Sequence, residues 1–253
     1  DMIKKVGEDL DGNGKMNADD RFGMLTQVPY RLLGAAGIAA TERDSENYPV
    51  LTPISDRMTQ AMTIIAELLN DKTNTIAYEE MAKGQNTSGF SGIWTYCRSK
   101  FATDQILFFE SGPGTTIEFT NMESPYGLLA LPKLDELQDR YYHIVDEYTC
   151  GWSIPSNVSD IEKVGIVTEY MAYASSDLVD AFYEVTLKNK RADSPDDAAQ
   201  LDLIRSTAKY EISYIAGAGI RQMLEAAVKS GNLASEYAKN ADAIQAKLDE
   251  CKK

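Results

Sequence analysis

Ile106-Leu107-Phe108-Phe109-Glu110-Ser111-Gly112-Pro113-Gly114 is a continuous apolar run of strand length that stops at a turn cluster. An unbroken apolar run, rather than an alternating one, predicts a strand buried on both faces. Phe22-Gly23-Met24-Leu25-Thr26 reads the same way, as does Tyr126-Gly127-Leu128-Leu129-Ala130-Leu131, closed by Pro132. A further apolar stretch, Cys150-Gly151-Trp152-Ser153-Ile154, stops at Pro155.

The rest of the chain carries helical signals. Met58, Ala61, Met62, Ile65, Leu68 and Leu69 follow i, i+3, i+4, i+7 spacing after Ser55. Helices are also expected over 31–40, 78–83 with Gly84 as the stop, 91–103, and as one or two turns over 115–122. Residues 44–53, polar and holding two prolines, read as a loop. From residue 156 onward the chain reads as helical throughout. Ser159 with Glu162 predicts a capping box for a helix to Ala174. The next covers 177–188, and Ser194-Pro195-Asp196-Asp197 opens another that runs to Thr207. Two more follow around Ile220–Val228 and Tyr237–Leu248, separated by Gly231 as a C-cap. The fold class is therefore α/β and helix-rich.

The chain has 253 residues, 43% of them hydrophobic, as in a globular protein. A net charge of -14 supplies no basic stripe for nucleic acid and none for an anionic membrane surface. No window approaches the 18 or so apolar residues of a membrane span. The three cysteines, Cys97, Cys150 and Cys251, are too few and too scattered for a disulfide scaffold or a zinc site. The single histidine, His143, reads as a packed or surface residue. Residue 1 is not methionine and no signal peptide is present, so a processed or truncated piece of a longer protein is expected.

Asp9 to Asp20 is the clearest chemical motif. Oxygen-bearing side chains at Asp9, Asp11, Asn13, Asn17 and Asp20 occupy positions 1, 3, 5, 9 and 12 of an EF-hand-type loop. Gly14 stands at the sharp turn, and the Lys15 carbonyl is available at position 7. One structural Ca2+ is the expectation, an acidic turn without metal the alternative. No second loop is present, so a paired sensor is not expected.

Catalytic motifs are missing: there is no Gly-x-Ser-x-Gly, no His-Glu-x-x-His and no phosphate loop. A non-enzymatic role is expected. Sugars bind by stacking on aromatic faces with hydrogen bonds from polar neighbours. Tyr30 and Trp152 sit beside Gly or Pro at strand ends, where each could face a cleft or be core; Trp94, on a helix, reads as core.

Three segments in order carry a resemblance: Phe108-Phe109-Glu110-Ser111, Tyr126-Gly127-Leu128-Leu129-Ala130-Leu131-Pro132-Lys133, and Trp152-Ser153-Ile154-Pro155. Together they resemble extracellular solute-binding proteins of ABC importers, family 1, carbohydrate type, similar in plan to maltose-binding protein. Residues 135–142 and 187–206, with the Asp/Asn-rich loop before Phe22-Gly23, resemble a Gram-positive gut branch of that family. The resemblance spans essentially the whole chain.

It implies a type II periplasmic-binding fold, two lobes closing by a hinge on a carbohydrate, with delivery to ABC permease subunits. Residues 1–155 would form the C-terminal lobe, 156–189 helices completing the N-terminal lobe, and 190–253 the return to the C-terminal lobe. The remainder of the N-terminal lobe, with a signal sequence and a lipid-anchored cysteine that would hold the protein on the cell surface, would lie outside this chain. Gln27-Val28-Pro29-Tyr30 matches a cleft segment whose tyrosine contacts sugar. Ser111-Gly112-Pro113 matches a loop before a stacking tryptophan, although Gly114 stands there instead. A late stacking tryptophan has no counterpart near Tyr214. The implied ligand set is Tyr30 and Trp152 as stacking faces with Glu110, Ser111 and Thr115 as polar contacts. The alternative function is a calcium-stabilised helical protein-interaction module, with a glycosidase a distant third.

Overall fold

The computed structural model describes residues 2–27, 29–145, 152–188, 194–211, 213 and 217–252. It is α/β and helix-rich, 50% helical with small parallel sheets. The main sheet has three parallel strands in the order β4-β1-β5, with β1 Phe22–Thr26 between β4 Thr75–Ala77 and β5 Ile106–Phe109. Leu25 of β1 stands between Ile76 and Phe109. All five β1 residues are buried, as a strand flanked on both sides requires.

The chain leaves β1 for β4 on one side and then returns across to β5 on the other. Right-handed crossovers taken in opposite directions place their helices on opposite faces of a sheet. Two apolar clusters result. One joins β1, β4 and β5 to α3 Tyr78–Ala82 and α4 Ile93–Ala102 through Phe22, Leu25, Ile76, Met81, Tyr96, Cys97 and Ile106. The other packs α1 Pro29–Ala35 and α2 Asp56–Leu69 on two late helices, α8 Ile220–Ser230 and α9 Leu233–Leu248. Its centre is Leu33, Met58, Ala61, Leu224 and Leu248. Residues 30–66 and 218–248 thus share one core. Gly231 (φ 66°) ends α8 in the left-handed conformation that favours glycine at this position.

Helix α2 begins at Ser55, whose hydroxyl accepts the Met58 N–H. Helix α7 Pro195–Ser206 begins at Ser194, whose hydroxyl accepts the Asp197 N–H. Helix α5 Ile161–Ala174 is capped by Asp160 rather than Ser159, through the Lys163 N–H. Asp and Ser are both strong N-cap residues, and here the acceptor one residue nearer the helix takes the position.

Other expectations need correction. Helix α1 stops at Ala35, and the polar 44–53 loop belongs to a hairpin of β2 Thr41–Arg43 and β3 Pro49–Leu51. Strand β4 is too short, and too flanked by turn residues, to stand out in sequence. The region after 156 is not wholly helical, because β7 Ala208–Lys209 pairs with β6 His143–Ile144. Gly34 permits that small sheet to pack on α1: a Cβ there would stand 2.1 Å from Ile144 Cγ1. Residues 115–122 form a 3₁₀ segment at Pro113–Phe119, and after α6 Ser176–Asp180 the chain continues as a π-helix, Ala181–Lys188. The opening segment is a 3₁₀ turn, Ile3–Lys5.

Residues 126–131 have no regular secondary structure and belong to no sheet. Cys150 and Gly151 of the last expected strand lie outside the described residues, as do Val28 and Tyr214; Trp152-Ser153-Ile154 form no strand. Among the described residues no helix is long and apolar enough to cross a membrane.

Helix α5 has no buried residue; Ile161, Ile166, Val167, Tyr170, Met171 and Tyr173 are all exposed. Leu178, Val179, Phe182 and Val185 continue this surface into α6 and the π-helix. Leu187 then drops fully into the interior. The energetic contrast is testable. Leu224→Ala is expected to cost about 2–5 kcal/mol in denaturant unfolding, as a large-to-small change in a filled core does. Ile166→Ser is expected to move stability by no more than about 0.5 kcal/mol, the range of an exposed position.

Candidate functional site

Parallel α/β sheets offer small molecules the crevice beyond the carboxyl ends of their strands. Here β1 ends at Thr26, β4 at Ala77 and β5 at Phe109, and the next residues meet at one place. The Glu110 N–H donates to the Leu25 carbonyl at 3.0 Å, extending the β1–β5 ladder by one rung. This brings the Glu110 carboxylate over the end of β1. Its Oε2 accepts the Thr26 hydroxyl at 2.5 Å and the Gln27 N–H at 3.4 Å. Among the described residues its Oε1 has no hydrogen-bond partner, and it lies 3.8 Å from Arg31 Nη1. From β4, the Tyr78 hydroxyl donates to the Glu110 carbonyl at 3.1 Å.

Burial dominates the electrostatics here. It raises the Glu110 carboxyl above the usual carboxylate value, against the opposing pull of the Thr26 hydroxyl, the Arg31 guanidinium and the Gln27 N–H. Burial also raises the Tyr78 phenol, and the neighbouring Glu110 charge adds to the effect. Past Glu110 the chain surfaces. Ser111 is exposed, and its hydroxyl meets that of Thr115 at 2.7 Å.

Of the five ligand residues expected from sequence, Glu110, Ser111 and Thr115 thus stand together at one strand end. Tyr30 is next to Arg31 in α1, but its ring is only 2% exposed and belongs to the helical core beside Leu33. In this conformation it offers no stacking face; the alternation within α1 turns Arg31 toward the strand end and Tyr30 away from it. Trp152 is 83% exposed, in a stretch without regular structure. Trp94, expected as core, is partly exposed at the edge of the α3–α4 cluster, 4.9 Å from the Tyr78 ring. Thr26, Gln27, Arg31 and Tyr78 were not singled out from sequence. The available signal was positional: three of them follow or end a strand, and Arg31 lies one turn further on.

The Asp9–Asp20 loop docks beside the start of β5, where the Gln105 side chain donates to the Asp19 carbonyl at 3.0 Å. Carboxylate oxygens of Asp9, Asp11 and Asp20 lie within 4.8 Å of one another. Asp9 accepts the N–H groups of Gly12 and Gly14, and the buried Asp20 accepts those of Leu10 and Asn17. Gly14 holds φ 78°, which only glycine adopts freely. Hydrogen bonding from the Asn13 backbone keeps the Asp11 carboxyl below its ordinary value. The Asn17 amide donates to both Asp11 Oδ2 and the Lys15 carbonyl. Two of the oxygens that the spacing assigns to a cation are therefore already gathered around one donor. Ligation by Asn17 itself would require its amide to turn Oδ1 inward.

No family model, curated protein or solved structure matches this chain.

The raised Glu110 carboxyl has a defined consequence for stability. Between the ordinary value of 4.5 and the raised native value, the native chain keeps a proton that the unfolded chain has released. Stability therefore falls as pH rises through that window and levels off above it. Glu110→Gln removes this slope. Denaturant titrations of both proteins at about pH 4 and pH 8 are expected to show the variant gaining on the wild type at the higher pH. An equal difference at both pH values would mean that Glu110 ionises as it does in the unfolded chain.

Proposed function

We propose that this chain is the C-terminal lobe, with helices that complete the N-terminal one, of an extracellular substrate-binding subunit of an ABC transporter, taking up a carbohydrate, an oligosaccharide by preference, and delivering it to the permease subunits. The fold on this reading is of the type II periplasmic-binding class. The carrying observation is the strand-end cluster of Thr26, Gln27, Arg31, Glu110, Ser111 and Thr115 in an open parallel sheet. It offers hydroxyls, an amide and a carboxylate, the donors and acceptors that sugar hydroxyls need, at the position where such sheets hold ligands. The order of sequence segments described above supports the same reading.

Residues 1–155 and 190–253 build one lobe on this reading, in keeping with the core that α1 and α2 share with α8 and α9. Residues 156–189 belong to the opposing lobe, in keeping with the exposed apolar side chains of α5 and α6. Ligand works by shifting an open-to-closed equilibrium, and the closed form docks on the permease. The protein acts without catalysis, outside the cell, held to the membrane only through a lipid anchor. The same exposed helices favour a second reading, a calcium-stabilised helical module that binds another protein.

Trp152 separates the two readings. Its exposed indole is free to cover the apolar face of a sugar ring, and such aromatic contacts carry a large share of binding energy. Isothermal calorimetry with a panel of neutral oligosaccharides is expected to give saturable binding. Trp152→Ala should then weaken it at least tenfold, about 1.4 kcal/mol, with unfolding unchanged. Absence of binding across the panel would favour the interaction module.

The Asp9–Asp20 loop holds one Ca2+ on either reading, through Asp9, Asp11, Asn13, Asn17, Asp20 and the Lys15 carbonyl; the convergence of three carboxylates supports this. At a hundredfold excess over Kd the ion adds about 2.7 kcal/mol to stability. Chelator should lower the melting temperature of the wild type and leave that of Asp11→Ala unmoved. A wild-type melting curve indifferent to chelator would remove calcium from the account.

A further inference from the structure

Residues 128–131 belong to no strand, yet three of their four N–H groups find side-chain acceptors. Asp197 Oδ1 accepts the Leu128 N–H at 2.7 Å, Gln200 Oε1 that of Ala130 at 2.8 Å, and His143 Nε2 that of Leu131 at 3.1 Å. Three side chains, two from α7 and one from β6, stand in for a ladder. Only one of the three changes charge near neutral pH.

A backbone N–H can only donate, so Nε2 must carry its lone pair toward Leu131. The ring proton is then on Nδ1, which donates to the Thr207 hydroxyl at 2.7 Å. That hydroxyl in turn donates to the Leu203 carbonyl at 2.6 Å. Every atom of the relay has one permitted role. We infer that His143 is an acid-released latch: a proton arriving at Nε2 sets two donors against each other and frees Leu131 from β6. The inference does not depend on the solute-capture reading.

Among the described residues, the charged groups on the elements around His143 are committed elsewhere. On α7, Asp197 is committed to Leu128 and Ser194, Asp202 to Lys188, and Arg205 to Glu184 and the Tyr183 ring; Asp196 faces solvent. On β7, Lys209 pairs with Glu211. On the extended segment, Lys133 reaches the Gln138 carbonyl, and on α1, which packs against β6, Arg31 faces Glu110. Burial accordingly lowers the imidazole below 6.5. Because the native value is lowered, the stabilising contribution is complete above 6.5 and is lost as pH falls through the native value. The freed segment leads back toward the end of β5. Tyr126 packs edge-on against Phe119 at 5.5 Å and its hydroxyl reaches the Thr116 carbonyl at 3.4 Å, within the 3₁₀ segment that follows Ser111.

A chain with one histidine makes the test unambiguous. Nitrogen-15 NMR of the full chain at pH 7 is expected to show the Nδ1–H tautomer, with titration below 6.5. The protection factor of the Leu131 amide, referenced to its intrinsic exchange rate at each pH, should fall about tenfold or more from pH 7 to pH 5. His143→Gln, which keeps an acceptor without a charge, should hold that protection constant. An Nε2–H tautomer at pH 7, or equal protection at both pH values in the wild type, would overturn the latch. So would an equal loss of protection in His143→Gln. Should that variant fail to fold, the tautomer and the wild-type protection decide the matter by themselves.

Discussion

Five consecutive buried residues, Phe22 to Thr26, set the terms for everything around them. A strand buried on both faces and both edges needs partners for every backbone group and apolar cover above and below, because an unpaired buried amide costs about 1–3 kcal/mol. Strands β4 and β5 supply the backbone partners. Helices α3 and α4 supply one layer, and the crossover containing α1 and α2 turns away to join α8 and α9 in the second core. The polar cluster at the carboxyl end of β1 is a by-product of the same register. Because Leu25 lies opposite Phe109, Glu110 is delivered onto Thr26.

The structure answers the demand for backbone partners in two ways. In the central sheet neighbouring strands meet it. Along 128–131 side chains meet it, from Asp197, Gln200 and His143. The second solution is chemically richer, since side-chain acceptors can titrate and rotate whereas a carbonyl ladder cannot. Glu110 and His143 are both buried and both shifted toward their neutral forms, but their effects on stability oppose each other. Glu110 costs stability as pH rises above 4.5, His143 as it falls below 6.5.

Much of the helical framework was legible in sequence. Ser55, Ser194-Pro195 and Gly231 each act within one turn of chain, and the Met58–Leu69 periodicity within a single helix, so local chemistry alone specifies them. The unbroken apolar runs at 22–26 and 106–109 likewise marked the two longest strands. The 126–131 run misled because a strand is defined by its neighbour, and here the neighbour is a set of side chains far away in sequence. Of the candidate site, Glu110, Ser111 and Thr115 were legible because they flank a strand end. Arg31 and Thr26 were not, since nothing in their own surroundings predicts that Glu110 lies beside them.

By itself the sequence determined the Ser55, Ser194 and Gly231 caps, the buried runs at 22–26 and 106–109, the acidic balance, and the ligand spacing of the Asp9–Asp20 loop. These are decided by capping, periodicity and backbone conformation over a few residues. Only the tertiary structure decided that Tyr30 is core while Trp152 is exposed, that β1 lies between β4 and β5, and that His143 holds Leu131. Each of those depends on contacts between segments tens of residues apart, whose closure is governed by the packing of the whole chain rather than by the preferences of any one stretch.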